Sequence, residues 1–319
     1  MLRALEAGSE GYISGEEIGR RLSVSRTSIW KHVRALRGQG YCVESLPHCG
    51  YRLISCPDSL VPLEVRKQLD CRVLGREVHC FAEVGSTQDE AFRMAQKGAP
   101  EGTLVIAEQQ MGGRGRVGRA FFSPRGGLWF SFILRPQLRP QLCLPVSLMA
   151  GVALSEAVRE FTGLPAVLKW PNDVLVGGKK VVGILAELVA ETDVVRFVIC
   201  GIGVNANISR EAFPVELSPI ATSLSLELGR AVPLTRLLCR IVESLDRRYT
   251  DFLARGPEYI LDAWRRSPNV LGVRVRVTLA GEVIQGTALD LDEEGALLVK
   301  TDGGSVKRVT VGDVYLVPN

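Results

Sequence analysis

The seven residues Gly113, Arg114, Gly115, Arg116, Val117, Gly118 and Arg119 carry the strongest chemical signal in the chain. Glycine lets a backbone approach a ligand closely and adopt positive φ. Arginine offers a rigid fork of donors matched to carboxylate and phosphate. Interleaved, they describe a hinged cationic loop that closes over an anion. The surroundings agree in sign: no Asp or Glu occurs between Gln109 and Ser155, a stretch that holds Arg114, Arg116, Arg119, Arg125, Arg135 and Arg139. A merely solvated basic face has no need of the glycines. The loop also spells G-x-G-x-x-G, but the dinucleotide fingerprint requires a helix opening inside it and an acid about 20 residues on. Pro124 opposes that helix, and no acid stands at the required distance. A Rossmann site is therefore excluded, and there is no Walker lysine motif.

Other residues with chemical potential lie on either side. Ser86 and Thr87 open a helical run, Gln110 precedes the loop, and Lys169, Trp170, Pro171, Asn172 and Asp173 end a short apolar strand. Asn172 and Asp173 suit a turn. Gly183 and Gly203 permit close backbone approach, which against a flat ligand is itself a function. Trp129 reads as core. His32, His48 and His79 share no motif and receive no catalytic role.

These residues need a frame. Helical and strand patterns alternate through the middle of the chain. A helix after Ser86 stops at Gly98. Buried strands cover residues 103–107 and 128–134, a helix covers 144–161, and a strand covers 167–169. Gly177 and Gly178 turn a hairpin into a strand over 181–188, and 196–200 forms another. Hairpins and helical crossovers together predict a mixed sheet. Two amphipathic helices follow, over 234–253 and 257–266. The period then changes to five short strands between 273 and 317, a small barrel.

The amino-terminal segment has its own signature. Ser14 and Glu17 are spaced as a capping box, with Ile18 and Leu22 on one face of the helix they open. After a short turn a second helix begins near Ser25, burying Ile29, Val33 and Leu36. Its other face carries Arg26, Thr27, Lys31 and Arg34 and no acid. Residues 41–44 and 51–54 flank a turn and predict a winged hairpin. Together these form a helix-turn-helix for DNA. Lys31 and Arg34 suit phosphates, and Arg26 and Thr27 near the helix start suit base edges. Residues 55–59 have linker composition.

The 319 residues imply two or three domains. A hydrophobic share of 46% beside 23% charged describes a folded globular protein. Charges near the first methionine argue against a signal peptide, and no run reaches the roughly 18 apolar residues of a membrane span. The eight cysteines form no C-x-x-C pair, so reduced thiols and no cysteine-held metal are expected. The expected location is the cytoplasm.

Taken in order, Ser86 and Thr87, the run from Ala107 to Gln110, the Arg-Gly loop, the run from Lys169 to Asp173, the run from Gly183 to Glu187, and the run from Gly201 to Asn205 resemble the biotin–protein ligases. The amino-terminal module makes the chain similar to their bifunctional ligase–repressor class. The resemblance spans almost the whole chain. It implies an α+β multidomain protein: a winged helix-turn-helix over 1–56, a mixed-sheet, class II synthetase-like ligase core over 64–268, and an SH3-like β-barrel over 270–319. It implies activation of biotin with ATP and Mg²⁺ to biotinyl-5′-AMP, then transfer to a lysine of a biotin carboxyl carrier protein. It implies biotin contacts from Ser86, Thr87, Gln88, Gln110, Arg114, Gly115, Arg116, Lys169 and Gly183. ATP contacts fall to Arg114, Arg116, Arg119, Asn172, Asp173 and Asn205, and catalysis to Lys169, Arg114 and Arg116. The small barrel is implied to help bind nucleotide and carrier. A homodimer bearing biotinyl-AMP would present two DNA-binding modules to operator DNA and repress biotin genes.

The chemistry agrees with these residue types. A ureido ring needs buried hydroxyls and an amide, and two anions need cations before they can be brought together. The chain departs from the family pattern at three places. Gln88 stands where asparagine is usual, Met111 and Gly112 are expected to loosen the loop entrance, and Val117 replaces an arginine, reducing loop charge. Two rival activities remain open on the residues alone, a ligand-sensing repressor without chemistry and a lipoate or octanoyl ligase. In a third reading the ligase stands and its DNA module is vestigial.

Overall fold

The computed structural model describes residues 1, 4–5, 11–38, 41–55, 60–136, 143–191, 194–279 and 282–317. The chain divides into two compact units, Met1–Ser59 and Leu60–Asn319. Most of the expected linker, like Leu142, Arg139 and the turn at 280–281, lies outside the described residues.

In the first unit, helix α1 (Gly15–Leu22) starts where Ser14 Oγ accepts the Glu17 N–H at 3.1 Å. The capping box is only half made, because Glu17 turns to Arg21, one helical turn ahead, and pairs with it. Ser23 ends the helix in the left-handed region, with φ 53°. Helix α2 (Arg26–Gly38) buries Ile29, Val33 and Leu36 against Leu5, Ile18, Tyr41 and Val43. Strands β1 (Cys42–Leu46) and β2 (Gly50–Ser55) pair antiparallel as the wing. Glu44 fixes it by accepting from Tyr12 Oη at 2.7 Å and from Arg52 at 2.9 Å.

The second unit is built on a seven-stranded sheet in the order β3-β4-β5-β9-β8-β7-β6. The strands are β3 (Val78–Phe81), β4 (Leu104–Ala107), β5 (Leu128–Leu134), β6 (Val167–Lys169), β7 (Asp173–Val176), β8 (Lys179–Glu191) and β9 (Val194–Val204). Among the described strands of this sheet only β3 and β4 pair in parallel, so the sheet is mixed. Strand β9 runs on through Gly201–Val204, past the 196–200 stretch that the sequence predicts.

Period-two alternation gives the sheet two different faces. On β5, Leu128, Phe130, Phe132 and Leu134 enter the main core, while Trp129, Ser131 and Ile133 face the other way. Likewise β9 sends Val198, Cys200, Ile202 and Val204 inward and leaves Gly201 and Gly203 opposite. Helices α5 (Cys143–Thr162), α7 (Leu234–Arg255) and α8 (Pro257–Arg266) supply the main core's apolar cover, including Leu148, Leu245 and Trp264. Helix α4 (Thr87–Gln96) covers part of the other face with Ala91 and Ala95. The shorter helices are α3 (Pro62–Gln68) and α6 (Leu224–Leu228). Buried Asp246 on α7 accepts the N–H groups of Arg72, Val73 and Leu74 at 2.7, 2.8 and 2.8 Å, tying the start of the sheet to that helix.

Strands β10 (Arg274–Leu279), β11 (Glu282–Leu291), β12 (Leu297–Thr301), β13 (Val306–Val309) and β14 (Asp313–Leu316) form an antiparallel sheet in the order β13-β12-β11-β10-β14. This β-rich segment is anchored beside the site. Fully buried Trp170 donates its indole N–H to Gly295 O at 2.9 Å, and Leu168 N–H reaches Pro268 O at 2.8 Å. The strand that carries Lys169 is therefore held by the carboxy-terminal segment as well as by its own sheet.

Candidate functional site

The Arg-Gly loop folds into a small flap over the sheet face that bears the glycines. Gly115 N–H bonds Arg119 O and Phe121 N–H bonds Gly113 O, both at 2.7 Å. No helix opens there beyond one 3₁₀ turn, Arg116–Gly118. Val117 sits at its tip with φ 55°, a costly conformation for a β-branched residue. The flap's entrance is held: Met111 N–H bonds Val84 O at 2.9 Å and Gly112 N–H bonds Gly85 O at 2.8 Å. The expected loosening is therefore absent from the backbone.

Under the flap lies a first pocket of about 60 Å³, lined by Ser86, Thr87, Gln88, Gln110, Arg114, Gly115, Arg116, Ser131 and Gly183, among others. Its polar groups form one relay. Gln110 Oε1 accepts the Thr87 N–H at 2.8 Å and Thr87 Oγ1 at 3.0 Å, and Gln110 Nε2 donates to Ser123 Oγ at 2.8 Å. Thr87 Oγ1 and Ser131 Oγ lie 2.9 Å apart, and Ser131 donates to Gln88 Oε1 at 3.2 Å. Ser86 is buried and caps α4 through the Gln88 N–H at 3.2 Å. The extra carbon of Gln88 carries its amide into the sheet, where Nε2 donates to Glu187 Oε2 at 2.9 Å and Ile199 O at 3.1 Å.

The glycine floor is real, but a side chain already occupies the space above it. Gly183 and Gly203 face each other across β8 and β9. A Cβ on Gly203 would fall 2.3 Å from Phe121, and one on Gly183 would fall 2.6 Å from it. The Phe121 ring, delivered by the flap, also meets Trp129 edge-on at 5.9 Å. Trp129 is fully buried core, its indole bonded to Pro124 O at 2.8 Å.

A second pocket of about 370 Å³ adjoins the first, sharing Gly115, Arg116, Phe121, Asn172 and Lys180 with it. Lys169, Arg119 and Asp173 line this second pocket and not the first. Its charges are organised around Asp173, with Lys180 Nζ at 2.6 Å and Lys169 Nζ at 3.3 Å. Burial acts to raise the Asp173 carboxyl, but the ammonium groups of Lys180 and Lys169 outweigh it and hold the group below the usual carboxylate range. Asn172 donates to Ile184 O at 2.7 Å and its Oδ1 takes an Arg116 N–H at 3.4 Å, so it aims Arg116. Tyr315 and Leu316 of β14 close the far wall.

A third pocket, of about 210 Å³, is apolar and adjoins the second, with Phe122, Phe213, Leu217 and Ile220 in its wall beside Arg119 and Lys180. Asn205 lines it too, but its amide donates to Lys180 O at 3.3 Å and Thr222 O at 3.0 Å, a brace for the lysine's strand.

Several arginines of the basic stretch are engaged by neighbouring protein groups. Arg114 lines the first pocket, yet its guanidinium is paired with Asp89 at 3.1 Å and with Glu187. Arg125 pairs with Glu108. Arg135 caps the end of α4 by donating to Ala95 O at 2.9 Å and Ala99 O at 2.8 Å. Conversely, sequence reasoning passed over Lys180, Phe121, Ser131 and Tyr315. The hairpin glycines Gly177 and Gly178 immediately before two lysines were the one available signal for Lys180.

On the amino-terminal unit, Arg26, Thr27, Lys31 and Arg34 are all exposed along α2. Arg26 faces Glu16 at 3.9 Å, and Arg34 stacks over exposed Trp30 at 5.6 Å. Arg37, on the same helix, instead bonds Val43 O at 2.9 and 2.7 Å and joins α2 to the wing.

Comparison with known proteins agrees with this layout. Residues 81–205 match the Biotin/lipoate A/B protein ligase family, 270–317 match the Biotin protein ligase C terminal domain, and 1–52 match an HTH domain. The chain is 40% identical over 312 residues to the Bifunctional ligase/repressor BirA of Bacillus subtilis (strain 168), covering 98% of this chain and 95% of the relative. It is 31% identical to the protein of the same name from Escherichia coli (strain K12), covering 95% and 92%. Among solved structures, the biotin protein ligase from Aquifex aeolicus in complex with biotin and ATP superposes with a TM-score of 0.65 at 31% identity, covering 76% of this chain and 100% of that one. The chain belongs to the biotin protein ligase family, in its bifunctional ligase/repressor branch.

Proposed function

We propose that this protein activates biotin with MgATP to biotinyl-5′-AMP and transfers the biotinyl group to a lysine of a biotin carboxyl carrier protein. One observation carries the reading: a relay of buried hydroxyls and amides leads to a junction where Lys169 and Lys180 pair with a single carboxylate, Asp173, in a pocket that Arg116 also lines. Thr87, Gln110 and Ser131 suit the ureido group, whose donors and acceptors must be paired when buried. Phe121 suits the apolar thiophane face. The valerate carboxylate then reaches the junction. The third pocket takes the adenine, which places the α-phosphate beside the same cations.

In the first step a carboxylate oxygen attacks the α-phosphorus and pyrophosphate leaves. Arg116, Lys180 and Lys169 offset the repulsion between the two anions and the charge that builds on phosphorus, and positioning supplies much of the rest. In the second step an uncharged lysine amine attacks the acyl carbon, AMP leaves, and the amine loses a proton. No bond to the enzyme forms. Among the described residues no cluster of three or more His, Cys, Asp or Glu side chains is placed to hold a metal, and Asp173 is committed to two lysines. Mg²⁺ therefore enters on the ATP phosphates, and no step is assigned to it.

The exposed basic face of α2 suits operator DNA, with Lys31 and Arg34 on phosphates and Arg26 and Thr27 at base edges. Ordering of the flap by biotinyl-AMP lowers the entropic cost of a homodimer, which presents two such helices to a palindrome. A cytoplasmic setting fits the ATP requirement and the free thiols of Cys42, Cys49, Cys71, Cys80 and Cys239. Among the described residues no helix is long and apolar enough to cross a membrane.

Biotin-dependent ATP–pyrophosphate exchange tests the enzyme reading. Exchange is expected with biotin, not with lipoate, and is expected to fall at least a hundredfold in Lys169→Ala and Lys180→Ala. Exchange that ignores biotin contradicts it.

A further inference from the structure

We propose that Asp89 and Glu187 form a carboxylate latch that holds the flap closed over the first pocket through Arg114. Arg114 then acts as a positioning residue and not as a ligand for an anion. The inference rests on the reading of that pocket as the biotin cradle.

Arg114 sits on the flap, and its two partners sit on two different elements beneath it. Nη1 lies 3.1 Å from Asp89 Oδ1, in the first turn of α4, and Nη2 bonds Glu187 Oε2 on β8. One side chain thus pins the flap to a helix and to the sheet. The same Glu187 oxygen takes the Gln88 amide at 2.9 Å, and Gln88 accepts from Ser131 in the polar relay. The latch and the lining of the pocket are one hydrogen-bonded network, so whatever orders the lining also steadies the latch.

Local charge decides between a latch and an anion site. Around Arg114 one guanidinium meets two carboxylates, a formal balance of one negative charge, so a substrate anion arriving there is repelled. Around Asp173 the two lysines leave a surplus of one positive charge. The two anionic substrates belong at that junction, and the Arg114 corner serves closure. All three latch side chains are 43–48% exposed, so water and salt reach them. Exposed pairs of this kind are weak singly, as a lid that must reopen each turnover requires.

The experiment follows release of bound biotin by stopped flow, with ATP KM measured alongside, in Asp89→Asn and Glu187→Gln. Both substitutions keep shape and hydrogen bonding while removing charge, and thermal melting confirms that each variant folds. A latch predicts release roughly 3- to 10-fold faster in each variant, with ATP KM unchanged. It also predicts that raising salt speeds release from the wild type more than from either variant. If the two acids merely mask Arg114, neutralising them frees a cation and lowers KM for ATP, which overturns the proposal. Unchanged release in both variants overturns it equally. A wild-type protein that binds no biotin overturns the parent reading, and the latch with it.

Discussion

Gly203→Ala isolates the fit between the flap and the glycine floor. The new methyl carbon would lie 2.3 Å from Phe121 Cε1, 2.7 Å from Phe121 Cζ and 3.2 Å from Trp129 Cε3. No carbon tolerates the first two distances, so something must move. Trp129 is fully buried and hydrogen-bonded, whereas Phe121 is only partly buried and rides on the flap. The cheaper response is for the flap to lift. Overpacking costs about 1–3 kcal/mol. Levied on closure alone, that weakens biotin binding by roughly 5- to 150-fold, at about 1.4 kcal/mol per factor of ten. Calorimetric titration with biotin measures it, and thermal melting should show a much smaller change, because the core does not need to shift. Phe121→Ala removes the obstacle, so the double variant should bind no worse than Phe121→Ala alone, a non-additive cycle. Wild-type affinity in Gly203→Ala would refute the argument, as would additive losses in the double variant.

Further outcomes follow from the same structure. Asp246→Ala strips the acceptor from three backbone N–H groups and should destabilise by roughly 2–4 kcal/mol, read from denaturant midpoints; a loss under about 0.5 kcal/mol would contradict the staple. Asp173→Asn leaves Lys169 and Lys180 adjacent and uncompensated, so it should lower the melting temperature at pH 7. Because the folded carboxyl is held below its unfolded value of about 3.9, the stabilisation is fully present above that pH and fades as pH falls below it. The gap between wild type and variant should therefore narrow in melts at pH 3, and a constant gap would sink the assignment. Burial pushes the Cys80 and Cys239 thiols up to about 12, whereas Cys42 and Cys49 are exposed. A thiol reagent at pH 8 should label Cys42 and Cys49 rapidly and leave Cys80 and Cys239 unmodified until the protein unfolds, as mass spectrometry of peptides would show.

The elements were legible because their signals are local. The apolar run in β5, Ser14 and Ser86 as helix caps, and the glycine pair before β8 each announce a structure within a few residues. The resemblance placed Thr87, Gln110, Arg116 and Lys169 near one another, and the structure lines two adjoining pockets with them. What escaped depends on contacts across the sheet. The strand predicted over 196–200 stops short of Gly201 to Val204, because glycine usually breaks a strand. Here the pairing of β9 with both β5 and β8 overrides that preference, and Phe121 occupies the room that the missing side chains leave. Lys180 was passed over because only the register of β7 with β8 brings it onto Asp173. The arginine excess in the flap region overstated its free charge, because Asp89, Glu187 and Glu108 approach from outside that window.

Mass spectrometry of the purified protein after incubation with biotin and MgATP tests the central claim most directly. The account predicts bound biotinyl-5′-AMP near one equivalent, with AMP released when a carrier-domain lysine is supplied, and little or no adenylate in Lys180→Ala. ATP hydrolysis without any acyl-adenylate, or full adenylate formation in Lys180→Ala, would contradict it.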